Sequence, residues 1–81
     1  MNKYRIKIRA GSRELPWTKR QESMVTDFFV IVNKVVSLGG IICLDKKFNL
    51  EWMNDYFFVK LSSGDVAEID AMKQVNKIRS I

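Results

Sequence analysis

The sequence has no histidine, a single cysteine, a single proline and no apolar run longer than five residues. Without histidine the commonest general base is missing. With Cys43 alone, neither an intrachain disulfide nor a zinc site of ordinary His/Cys type can be assembled. There is no Walker A sequence, no GxGxxG, no internal repeat and no linker. The longest apolar run, Phe28 to Val32, falls far short of the ~20 residues that a bilayer crossing needs. Asp27 and Lys34 would each cost on the order of 3 kcal/mol at mid-bilayer. Met1 leads into basic alternation rather than an apolar signal region. These scarcities give one set of expectations: no enzymatic activity, no cofactor or metal, no membrane insertion and a cytoplasmic location.

Eighty-one residues are expected to make one domain. At that size stability should be only ~4–12 kcal/mol, so most of the 47% hydrophobic content is needed for a single core. The abundance of lysine, asparagine and isoleucine is compatible with an AT-rich bacterial or phage genome.

The core-bearing stretch is residues 18 to 39, TKRQESMVTDFFVIVNKVVSLG. Its β-branched residues favour strand, but the spacing does not. Apolar residues come in pairs at 24/25, 28/29, 31/32 and 35/36, a step of three or four. Met24, Val25, Phe28, Phe29, Ile31, Val32, Val35, Val36 and Leu38 fill roughly half of a helical circumference. Thr26, Asp27, Asn33, Lys34 and Ser37 share the other side with Val30. Thr18 and Gln21 match a capping box, Pro16 bars an earlier start, and Gly39 suits the left-handed position after the last turn. The spacing therefore predicts a long amphipathic helix. Asp27 is read as solvated or locally capping, since Lys34 is seven residues on and beyond direct i,i+4 pairing.

The net charge of +5 is unevenly placed. Residues 1 to 23 hold Lys3, Arg5, Lys7, Arg9, Arg13, Lys19 and Arg20 against Glu14 and Glu22, whereas the other 58 residues balance. Residues 3 to 9, KYRIKIR, alternate perfectly, which predicts a half-buried strand with Tyr4, Ile6 and Ile8 inward and four cations outward. Such a strand is either a charged sheet edge that deters pairing or a positive rail of ~6.6 Å per step, similar to nucleic-acid backbone spacing. Residues 10 to 17 read as a loop, with a turn at Gly11–Ser12 and Trp17 just outside the helix. There Trp17 either packs on the first turns or stacks on a base or partner. Lys19 and Arg20 put positive charge where the helix dipole favours acids, a place that suits a phosphate.

Gly39–Gly40 should reverse the chain. Ile41 to Leu44 reads as a buried strand holding Cys43 as inert core. Asp45 to Lys47 reads as a turn, and Phe48, Leu50 and Trp52 as the inward side of a strand. A turn at Asn54–Asp55 then leads to a strand from Tyr56 to Leu61, apolar on both faces except at Lys60. The segment from Ser62 supports two patterns. One is a hairpin with Val66 to Ile69 as return strand and a helix from about 71 to 79; the other is a single helix from Asp65, with Val66, Ile69, Met72, Val75 and Ile78 at steps of three. The hairpin is preferred.

The fold class expected is α+β: one long amphipathic helix on an antiparallel sheet of three to five strands, with a short C-terminal helix. The order helix, three strands, helix resembles that of double-stranded-RNA-binding domains. The basic cluster those domains carry at the start of the last helix is absent here, where Asp65, Glu68 and Asp70 stand, so the likeness is of element order alone.

Two functions compete. In the first, Lys3, Arg5, Lys7, Arg9, Arg13, Lys19 and Arg20, with Trp17, contact nucleic acid or a nucleoprotein. In the second, the same residues dock on an acidic patch of a larger host protein, as an inhibitor or adaptor of phage or mobile-element type. Aromatics interleaved with the cations favour the first, and a contiguous apolar patch favours the second. Homodimerisation through a sheet edge or the spare apolar face of residues 56 to 61 is a third possibility.

Overall fold

The computed structural model describes residues 1–12, 16–44 and 55–81. Arg13, the turn expected at 45–47, the strand expected to carry Phe48, Leu50 and Trp52, and Asn54 lie outside the described residues.

Alternation at the N-terminus yields strand β1, Asn2–Ile8. Tyr4, Ile6 and Ile8 are buried, while Lys3 and Arg5 are exposed and Lys7 is partly so. A 3-10 turn, Arg9–Ser12, follows and buries Ala10. Helix α1 then runs from Trp17 to Ser37. It begins one residue earlier than the capping-box pattern implies. Extended Pro16 is the N-cap, its carbonyl accepts from the Arg20 N–H at 2.9 Å, and no side chain caps the end. Thr18 is already inside the first turn, so the Thr18–Gln21 box does not form. Proline suits this place because its fixed φ aims the chain into a helix and it has no N–H to satisfy.

The other end matches the sequence. Gly39 takes φ +81°. Its N–H donates to Val36 O at 3.0 Å, and the Gly40 N–H to Val35 O at 2.9 Å. These are the paired bonds of a Schellman termination, which satisfy carbonyls that the helix end would otherwise orphan. Gly40 is required for a different reason. A Cβ there would stand 2.7 Å from Leu61 Cδ2, 2.7 Å from Val35 Cγ1 and 2.9 Å from the Lys60 carbonyl oxygen.

Strands β2 (Ile41–Cys43), β3 (Tyr56–Leu61) and β4 (Val75–Ser80) join β1 in one sheet, ordered β2-β3-β1-β4 with every neighbour antiparallel. β1 and β2 therefore run the same way with β3 between them, the split βαβ arrangement. α1 covers one face of this sheet. Met24, Phe28, Ile31 and Val35 are its buried residues, and the Phe28 ring meets Phe57 edge-on at 4.9 Å. Tyr4, Ile6, Ile8, Val59, Leu61, Ile69 and Val75 complete the core. The buried stripe is narrower than half a circumference: Phe29 and Val36 are 53% and 58% exposed. Among the described residues a single sheet lies beneath α1, and the second helix spans only five residues.

That second helix, α2, is Val66–Asp70, reached through a 3-10 turn at Ser63–Asp65. The expected α+β composition holds: one long helix, an antiparallel sheet and a short helix toward the C-terminus. The assignments of the last segments are exchanged, however. Residues 66 to 69 are helix rather than a return strand, and the helix expected over 71 to 79 is largely β4. The register explains the misreading. β4 pairs Lys77 with Lys7 but Val75 with Ile8, so Asn76 is an inserted bulge residue. The bulge puts Val75 and Ile78 on the same side three residues apart, which imitates helical spacing. With a strand last, the likeness in element order to double-stranded-RNA-binding domains does not persist.

β2 differs from expectation too. Ile41 and Leu44 are 50% and 54% exposed, and Cys43 is partly buried rather than core. Among the described residues β2 ends the sheet, with a neighbour on one side alone. Among the same residues, no helix is long and apolar enough to cross a membrane.

Candidate nucleic-acid interface

The sheet has a second face, turned away from α1, and strand alternation determines what it carries. Antiparallel partners point to the same side. Lys3, Arg5 and Lys7 of β1 therefore share this open face with Lys60, Phe58 and Tyr56 of β3, their register partners. On the other side of β1, Arg79 faces Arg5 and Lys77 faces Lys7. β2 adds Ile41 beside Lys60 and Cys43 beside Phe58. Two rows then cross the strands in the same pattern. Phe58 is followed by Arg5 and Arg79, and Tyr56 by Lys7 and Lys77.

This pattern carries a cost. Lys3–Lys60, Arg5–Arg79 and Lys7–Lys77 are like charges placed directly opposite each other. Cross-strand pairs of this kind destabilise a sheet by about 0.2–1 kcal/mol each. Among the described residues, none of the paired positions on the face carries a carboxylate. Asp55, just before β3, lies 3.7 Å from Lys7 Nζ with both side chains partly exposed. An exposed contact that long offsets little of the repulsion. Arg5, Lys7, Asn76, Lys77 and Arg79 line a shallow depression between β1 and β4. A second depression, lined by Lys3, Cys43, Leu44, Phe58 and Ile81, lies toward β2.

The aromatic rings sit among these cations. Tyr56 is 40% exposed and Phe58 partly so. Their centroids are 5.9 Å apart, edge to face. Lys3 Nζ lies 5.2 Å from the Phe58 centroid, and the Arg5 guanidinium 5.5 Å from that of Tyr56. Both distances fall within cation–π range.

The eight residues singled out in the sequence do not form one surface. Lys3, Arg5 and Lys7 come together as expected. Arg9 follows β1 into the 3-10 turn, where its Nη2 donates to the Val75 carbonyl at 3.4 Å. Arg13 lies outside the described residues. Trp17, Lys19 and Arg20 belong to the first turn of α1, in the layer behind the sheet. Trp17 is not outside the helix but its first residue, 51% exposed, with the Arg20 guanidinium 5.8 Å from its ring.

The same face also carries Lys60, Lys77, Arg79, Tyr56 and Phe58, which the sequence does not single out. A signal for two of them was present: Lys77 and Arg79 alternate about Ile78 as Lys7 and Arg5 do about Ile6. The three-residue spacing created by the bulge concealed it. Comparison with protein-family models, with curated proteins and with solved structures finds no match to this chain.

Proposed function

We propose that this protein is a non-catalytic binder of nucleic acid, and that the open face of its sheet is the contact surface. One observation carries the reading: three like-charged cross-strand pairs on adjacent strands, with no carboxylate at any paired position of the face among the described residues. A sheet needing only protection at its edge would place cations on the edge strand. Here the cations centre on β1, an interior strand. Repulsion maintained in the middle of a sheet, offset only by an exposed 3.7 Å contact with Asp55 and two exposed cation–π contacts, is the kind of broken rule that a bound anion resolves. The repeating phosphates of a nucleic acid neutralise several of these cations at once and release condensed counterions. Tyr56 and Phe58, interleaved with the cations, are the feature that favours nucleic acid over an acidic protein surface.

The test is a salt titration of binding to a fluorescein-labelled oligonucleotide. Engaging four to six phosphates gives a slope of about −3 to −4 in log K against log salt for a single strand. Arg5→Gln with Arg79→Gln should flatten that slope by about 1.4, at about 0.7 per phosphate contact. No binding at low salt, or an affinity indifferent to salt, overturns the reading and leaves an acidic protein as the partner that these cations fit.

A further inference from the structure

We infer that the site is built for single-stranded nucleic acid, with successive bases stacking on Phe58 and Tyr56; this rests on the phosphate-binding reading above and adds to it what the rings do. The two rows supply the geometry. In each, an aromatic residue of β3 is followed by a cation of β1 and another of β4: Phe58–Arg5–Arg79 and Tyr56–Lys7–Lys77. Neighbouring strands lie ~4.8 Å apart, so the two cations stand ~5 and ~10 Å from the ring position, and the rows are ~6.6 Å apart along the strand. Each row therefore offers one nucleotide a place for its base and, a sugar's length away, a place for its phosphate.

Cations occupy the ring positions in the free protein. Lys3 lies over Phe58 and Arg5 over Tyr56. Both are long, exposed side chains on β1, and cation–π contacts at exposed positions are weak. A base arriving on the ring displaces the cation, which then has a phosphate of the same strand to meet. The stacking contact replaces the weaker one and the charge stays paired. The depression lined by Lys3, Cys43, Leu44, Phe58 and Ile81 gives the base on Phe58 an apolar flank.

A duplex cannot use the rings. Its bases are already stacked and present only their edges, in the grooves. Phe58 lies within the sheet surface, between Cys43 of β2 and Arg5 of β1, and Tyr56 lies on the same strand beside Lys7, so neither is placed at a loop tip as a wedge would be. A duplex would meet the cations alone. Single strands should therefore bind more tightly than duplexes carrying the same number of phosphates.

The probes are a labelled oligothymidine of about eight nucleotides, within the usual site size for such surfaces, and a DNA hairpin of equal phosphate number. Tyr56→Leu with Phe58→Leu keeps apolar bulk but removes both π-faces, and Phe58→Trp keeps a ring. Wild type should prefer the single strand. The double leucine variant should lose about thirtyfold or more in single-strand affinity, at about five- to a hundredfold for each of the two stacked bases, with its salt slope unchanged and hairpin binding unaffected. Phe58→Trp should bind the single strand as wild type does. If the leucine variant binds single strand like wild type while both retain a steep salt slope, stacking is overturned and phosphate contact stands. Equal losses on single strand and hairpin also overturn stacking, because the rings then act only by supporting the sheet. If wild type binds neither probe at low salt, the phosphate reading itself fails and takes this inference with it.

Discussion

Replacing Arg79 by glutamate should make the free protein more stable while making it a poorer binder. Arg79 stands directly opposite Arg5 across β1 and β4, and both side chains are exposed. The substitution removes a like-charge pair and creates an opposite one, worth about 0.4–2 kcal/mol together on the cross-strand scale. Exposure to water places the gain near the bottom of that range, at about 0.5 kcal/mol. For a domain of this size that is a rise of about 2–4 °C in Tm. Salt supplies the control. Facing Cβ atoms are ~5 Å apart, well inside the ~10 Å Debye length at 0.1 M salt but beyond the ~3 Å length at 1 M. Raising salt should therefore stabilise wild type in urea melts followed by circular dichroism, and stabilise Arg79→Glu less. Oligonucleotide affinity should fall in the same variant. A side chain that served only the fold would move stability and binding in the same direction. The reasoning is refuted if Arg79→Glu melts lower than wild type in dilute buffer, or if wild type gains nothing from salt.

Three further substitutions test the fold that presents the face. Gly40→Ala should lower stability by about 1–3 kcal/mol in urea denaturation, because the added methyl meets the Lys60 carbonyl and two core side chains. Phe57→Ala, which removes a fully buried ring packed on Phe28, should cost about 3–5 kcal/mol by the same measurement. Lys34→Ala breaks a 3.1 Å ion pair with Glu68 in which both side chains are well exposed, and its Tm should indicate a change of no more than about 0.5 kcal/mol.

Local chemistry was legible without coordinates. The three-to-four spacing from Met24 to Val35 overrode a β-branched composition and gave α1, and Gly39 marked where it ends. Strict alternation from Lys3 to Ile8 gave β1 and the side on which its cations lie. In each case the pattern is a property of neighbouring residues, which a single helix or strand expresses wherever it is placed. The capping box failed because Pro16, two residues before Thr18, had already set the entry into the helix.

Pairing decided the rest, because alternation along one strand cannot say which other strand lies beside it. The order β2-β3-β1-β4 brings residues 56 to 60 and 77 to 79 to either side of residues 3 to 7. Charge counted along the chain placed the whole excess before residue 23, yet half of the cations on the open face come from the balanced remainder. The sequence alone determined that β1 is basic on one side. Tertiary structure decided that this side lies in the middle of a sheet, with two aromatic rings along one flank and a second line of cations along the other. It also decided that Trp17, Lys19 and Arg20 belong to a different layer, since burying Met24 and Phe28 carries the start of α1 behind the sheet with them.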